Sequence, residues 1–599
     1  MGLGAVSLRL VVFHARNRLG VVSRRDPDLV ARARLLLRPW RWAHRMDAAG
    51  AVPDAATLVG NRCSELRHVP QWFAAHASQR RPAIKCDELG AGAALHDDWA
   101  DARADLVAFR ARPFAGATSR RYARSHISRS GIRAAPQVLT KTAALAEAAR
   151  SFDSGEFVAQ LGRLVAIPSE SQGEAQPAVL RSYLEALRPG LDALGFACRI
   201  VPNSVAGAGD FLLAERIEGP GLPTIVTYGH GDVVLGMEGR WREGLSPWTL
   251  IREEDRLYGR GSADNKGQHA INLTALGAVV QTRGRLGFNC KVLIETGEEI
   301  GSPGLRELAE SERPWFAADA FIGSDGPRVS AERPTIFLGN RGAFNFDMLL
   351  ELRDGAHHSG NWGGALANPG VILAHALASI AGPRGQILID DWLPTPPTER
   401  MRALVRGLEI GEGGDGPAID PTWGQPELTP AENVYLWNTF EVLAFVTGDP
   451  ARPVNAIPGS ARAHCQIRFV VGSRPQEFLP ALRRHLDARG FDAIELRAAR
   501  KGYFEATRLD PDHPWVRWTK ATIAAATGKD VAILPNLGGS LPNDVFAKVL
   551  GLPTIWIPHS YPACSQHAVN EHLLGSVARE ALVMMTALFW ELGEQPPDL

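Results

Sequence analysis

The chain has 599 residues, too many for one ordinary hydrophobic core, so more than one domain is expected. An apolar fraction of 45% and a charged fraction of 22% are those of a soluble globular protein. The longest apolar run, 581–590, is half of the roughly 20 residues that a membrane helix needs, so no membrane partner is expected.

Arg9 interrupts the short apolar stretch at the N-terminus and no clean cleavage site follows, so a signal peptide is not expected. The six cysteines, at 63, 86, 198, 290, 465 and 564, are scattered without a CxxC. That usage predicts reduced structural thiols and a cytoplasmic location. A net charge of zero hides an asymmetry: residues 1–150 hold 25 Lys and Arg against 12 Asp and Glu, a net of +13, which leaves −13 for the remainder. A basic arm can bind nucleic acid. Here the excess is almost all arginine, mixed with scattered Trp, His and Pro, and 1–140 lacks sustained helical or strand period. That texture reads as translated GC-rich DNA upstream of the true start, or as a disordered extension. It is assigned no function and no nucleic-acid partner.

From about Leu139 the pattern changes. Residues 140–168 read as helical up to Pro168, and "AVLRSYLEALRPGLDALGF" reads as an amphipathic helix broken at Pro189-Gly190. Strands then alternate with helices: "RIVPN", "FLLAERI", "TIVTYGH", a long loop, the helix "KGQHAINLTALGAVVQ", the strand "KVLIE", the helix "PGLRELAESE" and the strand "AFIGSD". This order predicts a sheet sandwiched by helices, with ligands bound at the carboxyl ends of its strands. From Gly342 the texture is strand-rich α+β: "GAFNFDMLLELRD", the helix "NPGVILAHALASI", a long Pro/Gly-containing stretch, "SARAHCQIRFVVG", the helix "PQEFLPALRRHLDARG" and "AIELRAA". After Lys501 the α/β texture returns. The simplest architecture is an α/β domain interrupted by a smaller inserted one.

Five places at predicted strand ends and loops carry groups able to bind metal: His230 with Asp232, Asp264, Glu298-Glu299, Asp325 and His567. Each alone has an ordinary explanation. Asp264 can cap the helix that follows, Asp325-Gly326 can be a turn, His567 can be a core histidine, and the two glutamates can be solvated. Together, mixed imidazole and carboxylate donors suit zinc or a similar divalent ion.

At these residues the chain resembles the M20 metallopeptidases and the aminoacylases, deacetylases and dipeptidases that share their fold. The segments that carry the likeness are "TIVTYGHGDVV", "LYGRGSADNKGQ", "ETGEEIGSPGL", "FIGSDGP", "HHSGNWGGALANP", "NAIP" with Arg468, "GGSLPND" and "QHAVNE", in the family's order over roughly 145–599. "GEEIGSPGL" and the GRGS loop are nearest the dipeptidase, carnosinase-like branch.

The resemblance implies a helix-flanked mixed-sheet α/β catalytic domain (141–341 and 501–599) with an inserted α+β, ferredoxin-like lid and dimerisation domain (342–500), and a homodimer. It implies two divalent metal ions, usually Zn²⁺ with Mn²⁺ or Co²⁺ as alternatives, bridged by Asp264 and a water. One ion would take His230 and Asp325, the other Glu299 and His567. Asp232 would hold the His230 imidazole, and Glu298 would be the general base. His358 would reach across the dimer to the neighbour's oxyanion. Asn455, Gly539 and Ser540 would lie against the substrate, and Arg468 would bind its carboxylate.

Three positions depart from the family pattern: Asn265 where a second Asp is common, His357 where an apolar residue is usual, and Ala568 in place of serine. The implied reaction is hydrolysis of an amide bond in small peptides. The alternatives are an N-acyl-amino-acid amidohydrolase and an inactive binding module.

Overall fold

The apolar run that ends in Glu295 forms a strand, Asn289–Glu295, buried at all seven positions. A strand covered on both faces needs no polar alternation, which is why it reads as a continuous apolar run. In this computed structural model the described residues are 10–14, 18–22, 140–173, 176–410, 418–499 and 503–598. The chain divides into two units, 1–128 and 129–599. In the first unit the β-branched runs Leu10–His14 and Arg18–Val22 pair antiparallel. The expectation of a disordered extension or misplaced start for 1–140 otherwise lies outside the described residues.

In the second unit, Asn289–Glu295 belongs to an eight-stranded sheet. Its order is Ala532–Leu534, Thr335–Phe337, Thr554–Trp556, Ala320–Gly323, Thr224–His230, Asn289–Glu295, Phe211–Arg216 and Ala197–Val201. The four central strands, from Thr554–Trp556 to Asn289–Glu295, are parallel. Phe211–Arg216 and Ala197–Val201 continue the sheet antiparallel. The parallel centre brings His230, Glu295 and Gly323 to one edge, and the loops that carry candidate ligands leave from there.

Helices cover both faces. One face buries residues of Lys141–Asp153, Glu156–Val165, Pro177–Ala193, Lys266–Arg283, Pro514–Thr527 and Gly575–Glu594. Two helical expectations are corrected. The stretch 140–168 forms two helices, because Gly155 takes a left-handed conformation (φ 81°) that turns the chain between them. Pro177–Ala193 runs through Pro189 without a break. Pro189 lies on the exposed side near the helix end, while Leu187 and Leu191 hold the last turns in the core.

The insertion contains a four-stranded antiparallel sheet, ordered Thr439–Val446, Ser460–Phe469, Gly342–Glu351, Glu495–Ala498. With helices Pro369–Ile380 and Phe478–Asp487 the chain order is βαββαβ, a ferredoxin-like lid. The helices pack on Phe344, Phe346, Met348, Cys465, Ile467 and Phe469, one alternate set of the two central strands. The alternation of "HCQIRFVVG" predicts Cys465, Ile467 and Phe469 on one face and Gln466, Arg468 and Val470 on the other; Val470 departs from this, lying one residue past the strand and buried.

The long Pro/Gly-containing stretch was unassigned by its pattern, yet it holds structure. It includes the edge strand Thr439–Val446 and two short helices, Glu399–Val405 and Pro430–Tyr435. These helices do not join the lid. Met401, Val405, Ala431 and Leu436 belong to the hydrophobic cluster that also holds Val226, Tyr228, Phe321 and Trp556 on the second face of the large sheet, and Glu399–Val405 lies against the edge strand Ala532–Leu534.

Candidate active site

His230 ends its strand and is fully buried. Gly231 follows because a Cβ there would stand 2.2 Å from the Tyr183 ring. The His230 Nδ1 lies 3.0 Å from the Asp232 carbonyl oxygen and 3.5 Å from its carboxylate, so the carbonyl is the nearer orienting partner. The Asp232 carboxylate instead accepts the backbone N–H groups of Glu298 and Glu299.

The other imidazole nitrogen of His230, Nε2, lies 3.1 Å from Asp264 and 3.6 Å from Asp325. The second oxygen of Asp264 lies 3.0 Å from His567 Nε2, which is itself 3.0 Å from Glu299. Asp264 therefore stands between two histidine–carboxylate sets, the arrangement expected of a bridging ligand. Ligand atoms of His230, Asp264 and Glu299 lie within 4.8 Å of one another.

The residues fit divalent metal. Glu299 Oε1 and Asp325 Oδ2 are buried and accept no hydrogen bond, an expensive condition for carboxylate oxygens unless a cation meets them. Burial and then the charge of Asp264 push the Glu299 carboxyl up to about 7 and that of Asp325 up to about 6. Hydrogen bonds to Asp264 and Glu299 push the His567 imidazole up to about 11. Protons on these groups substitute for missing positive charge, and a metal ion would displace them.

Glu298 and Glu299 sit in a single 3₁₀ turn, Glu298–Ile300, closed by Gly301 at φ 93°. Burial first, and then the charges of Glu299, Asp325 and Asp264, hold the Glu298 carboxyl well above its ordinary range. The third carboxylate of this stretch, Glu295, is not part of the cluster. It is fully buried and accepts from the Tyr228 and Ser302 hydroxyls.

Two residues that pattern reading left without a role organise the Asp264 loop. Glu571 accepts the backbone N–H groups of Gly261, Ala263 and Asp264 and pairs with buried Arg260 at 2.8 Å. Its signal was its place in "QHAVNE", four residues after His567. Lys266 donates to the carbonyls of Leu164 and Ile167 beneath the same turn.

The departure at Asn265 has a physical reason. Its Nδ2 donates to the Ser324 carbonyl, which a carboxylate cannot do, and its Oδ1 accepts from the His230 backbone. The Asp264–Asn265 peptide bond is cis.

A cavity of about 860 Å³ opens over this cluster. Its walls include Asp264, Glu298, Glu299, Asp325 and His567, together with Arg468, Gly539 and Ser540. Arg468 comes from the helix-free face of the lid, where its Nη1 donates to the Ser540 hydroxyl at 2.8 Å. His358 and Asn455 are not at this cavity. Both are exposed on the lid, where Ser359 N donates to the Asn455 carbonyl and His357–His358 pairs with Ala456–Ile457.

Mixed imidazole and carboxylate donors at the carboxyl edge of the sheet, beneath a ferredoxin-like lid, define a metal-dependent hydrolase. The chain belongs to peptidase family M20/M25/M40, whose model matches residues 226–591, and is accordingly a peptide-bond hydrolase. It is 32% identical to the Beta-Ala-His dipeptidase of Mus musculus over 485 residues, 74% of this chain and 93% of the relative. It is 29% identical to the Cys-Gly metallodipeptidase DUG1 of Candida albicans over 457 residues, 70% of this chain and 90% of the relative. Its fold is similar to that of the dipeptidase Dug1p from Saccharomyces cerevisiae, with a TM-score of 0.64 at 22% identity over 76% of this chain and 99% of that one. It is also similar to human carnosine dipeptidase 1, with a TM-score of 0.62 at 23% identity over 75% and 99% of the two chains.

Proposed function

We propose that the chain is a dinuclear metal-dependent dipeptidase for substrates with a free C-terminal carboxylate. The carrying observation is that Arg468 shares one cavity with Asp264, Glu298, Glu299, Asp325 and His567. The cavity thus offers both a planar cationic fork suited to a carboxylate and a cluster suited to metal. The curated relatives named as dipeptidases support the same substrate class.

Asp264 would bridge two ions, zinc foremost with manganese or cobalt as alternatives. His230 and Asp325 would complete one site, Glu299 and His567 the other. The ions, when bound, acidify a water and polarise the scissile carbonyl. Glu298, on the wall of the same cavity, would be the general base, taking a proton from the attacking water and returning it to the leaving amine. Asp232 fixes the turn that carries both glutamates. Gly539, Ser540 and Arg468 hold the carboxylate end of the substrate.

The active species is a homodimer formed through the lid. In support, Thr439–Val446 is an edge strand whose Val442, Leu443, Phe445 and Val446 are exposed, an apolar edge that a second copy would cover. His358 and Asn455, exposed on the same lid, would then serve the partner's cavity. A cytoplasmic location fits the free thiols of Cys198, Cys290, Cys465 and Cys564.

The test is hydrolysis of a dipeptide panel, their C-terminal amides and N-acetyl amino acids with Zn²⁺, Mn²⁺ or Co²⁺. Free dipeptides should be cleaved, their amides poorly. Equal cleavage of acid and amide would refute the carboxylate clamp, and turnover confined to N-acetyl amino acids would refute the dipeptidase reading.

A further inference from the structure

Behind Arg468 lies a second arginine that the reaction scheme does not use. Arg341 is 9% exposed and sits where the chain leaves the large sheet for the lid. Four hydrogen bonds join it to one loop. Its backbone N–H donates to the carbonyls of Leu537 and Gly539, and its Nε donates to the Gly538 carbonyl at 2.7 Å. Its own carbonyl accepts from the Ser540 hydroxyl at 2.7 Å.

Ser540 in turn receives Arg468 Nη1, and Gln466 receives Arg468 Nε. Arg341 thus stands under the loop that orients the guanidinium facing the cavity. Its charge is poorly compensated. Nη1 is buried without a hydrogen-bond partner, and no carboxylate among the described residues pairs with the guanidinium; Glu441 acts on it only through its charge. Burial, and next the positive charge of Arg468, push the Arg341 guanidinium down to about 10. Arg341 does not itself line the cavity; it stands one hydrogen-bonded loop behind Arg468, so its charge reaches an anion held by Arg468 through the protein interior, where charges are poorly screened.

We propose that Arg341 is a positioning and specificity residue for the anionic end of the substrate. It sets the Gly538–Ser540 loop that aims Arg468, and it adds a second positive charge beneath the carboxylate. The inference rests on the reading of Arg468 as the carboxylate clamp. A purely structural arginine would hold the loop just as well, but its charge would not bear on the choice between acid and amide.

The experiment compares Arg341→Gln and Arg341→Lys with wild type on a dipeptide and its C-terminal amide, with metal content and thermal melting as checks. Gln keeps a donor for the Gly538 carbonyl but loses the charge. It should raise KM for the acid about tenfold, with a smaller change in kcat, and lower the acid-to-amide preference by a similar factor. Lys should keep that preference within about threefold of wild type, since the added charge survives. A folded Arg341→Gln enzyme with wild-type preference overturns the proposal. If Arg341→Gln does not fold, Arg341→Lys decides: wild-type preference supports the charge role, while lost preference or lost folding overturns it. A wild type that does not distinguish acid from amide refutes the Arg468 reading first and separately.

Discussion

Asp232 and Glu298 are joined by a hydrogen bond from the Glu298 backbone N–H to the Asp232 carboxylate at 3.1 Å, and the second carboxylate oxygen takes the N–H of Glu299 at the same distance. One fully buried side chain therefore holds both the proposed general base and a proposed metal ligand, while the backbone carbonyl of Asp232 lies against the His230 imidazole. Asp232→Ala would free the turn and orphan two N–H groups. It should lower kcat and metal affinity together, measured by kinetics and by metal titration of the same preparation. Loss of one without the other would show that the two effects have separate origins.

Glu298→Ala removes a carboxylate without removing a ligand. Turnover should fall by about 10²- to 10⁴-fold, the span of general acid–base contributions, while both metals stay bound. Kinetics with elemental analysis read this directly, and a variant of near wild-type rate would end the general-base assignment.

Asp264 touches both histidines, so Asp264→Ala should lose metal at both positions. Chelation of the wild type should likewise lower its melting temperature, because binding to the native state alone adds about 2.7 kcal/mol at a hundredfold excess over Kd. Two tightly held ions in Asp264→Ala would rule out the bridge.

Glu571 supports the turn that presents Asp264. Glu571→Ala leaves Arg260 buried without its partner, a loss of about 3–5 kcal/mol for a broken buried pair. The expected result is a lowered melting temperature with weakened metal binding. Unchanged metal affinity in a folded variant would restrict Glu571 to a stabilising part.

The apolar edge of the lid gives the proposed dimer a separate test. Val442→Lys with Phe445→Glu should yield monomers in sedimentation and sharply reduced activity, since His358 would no longer meet a neighbouring cavity. Mixing His358→Ala with Glu298→Ala subunits should restore part of the activity through one intact hybrid site. Verified hybrids that remain inactive would refute service across the interface.

Four candidate ligands were legible in the sequence because they follow a strand or precede a helix with its own pattern: the strands before His230, Glu299 and Asp325, and the helix after Asp264; His567 lies in a loop and was marked by the motif "QHAVNE". Arg468 was legible from alternation, since Cys465, Ile467 and Phe469 are buried and Gln466 and Arg468 line the cavity. Glu571 was quoted within a motif but had no visible role, because its partners are backbone N–H groups some 300 residues earlier, and main-chain donors leave no mark in composition. The strand Thr439–Val446 was hidden in a Pro/Gly-containing stretch although "TFEVLAFV" has the β-branched and aromatic content of a strand. Pro189 misled because a local breaker was outweighed by Leu187 and Leu191 in the core.

The return of Met401, Val405, Ala431 and Leu436 to the large sheet means that the insertion is sewn to its host along a second seam. Cutting out 342–500 as a cassette would strip four apolar side chains from the core on that face of the large sheet, leaving a host with an open flank. Recombination that exchanges lids between relatives should therefore succeed with two shorter grafts, one on either side of 399–436, and fail with a single long one. The lid and its host are obliged to change together along that shared flank.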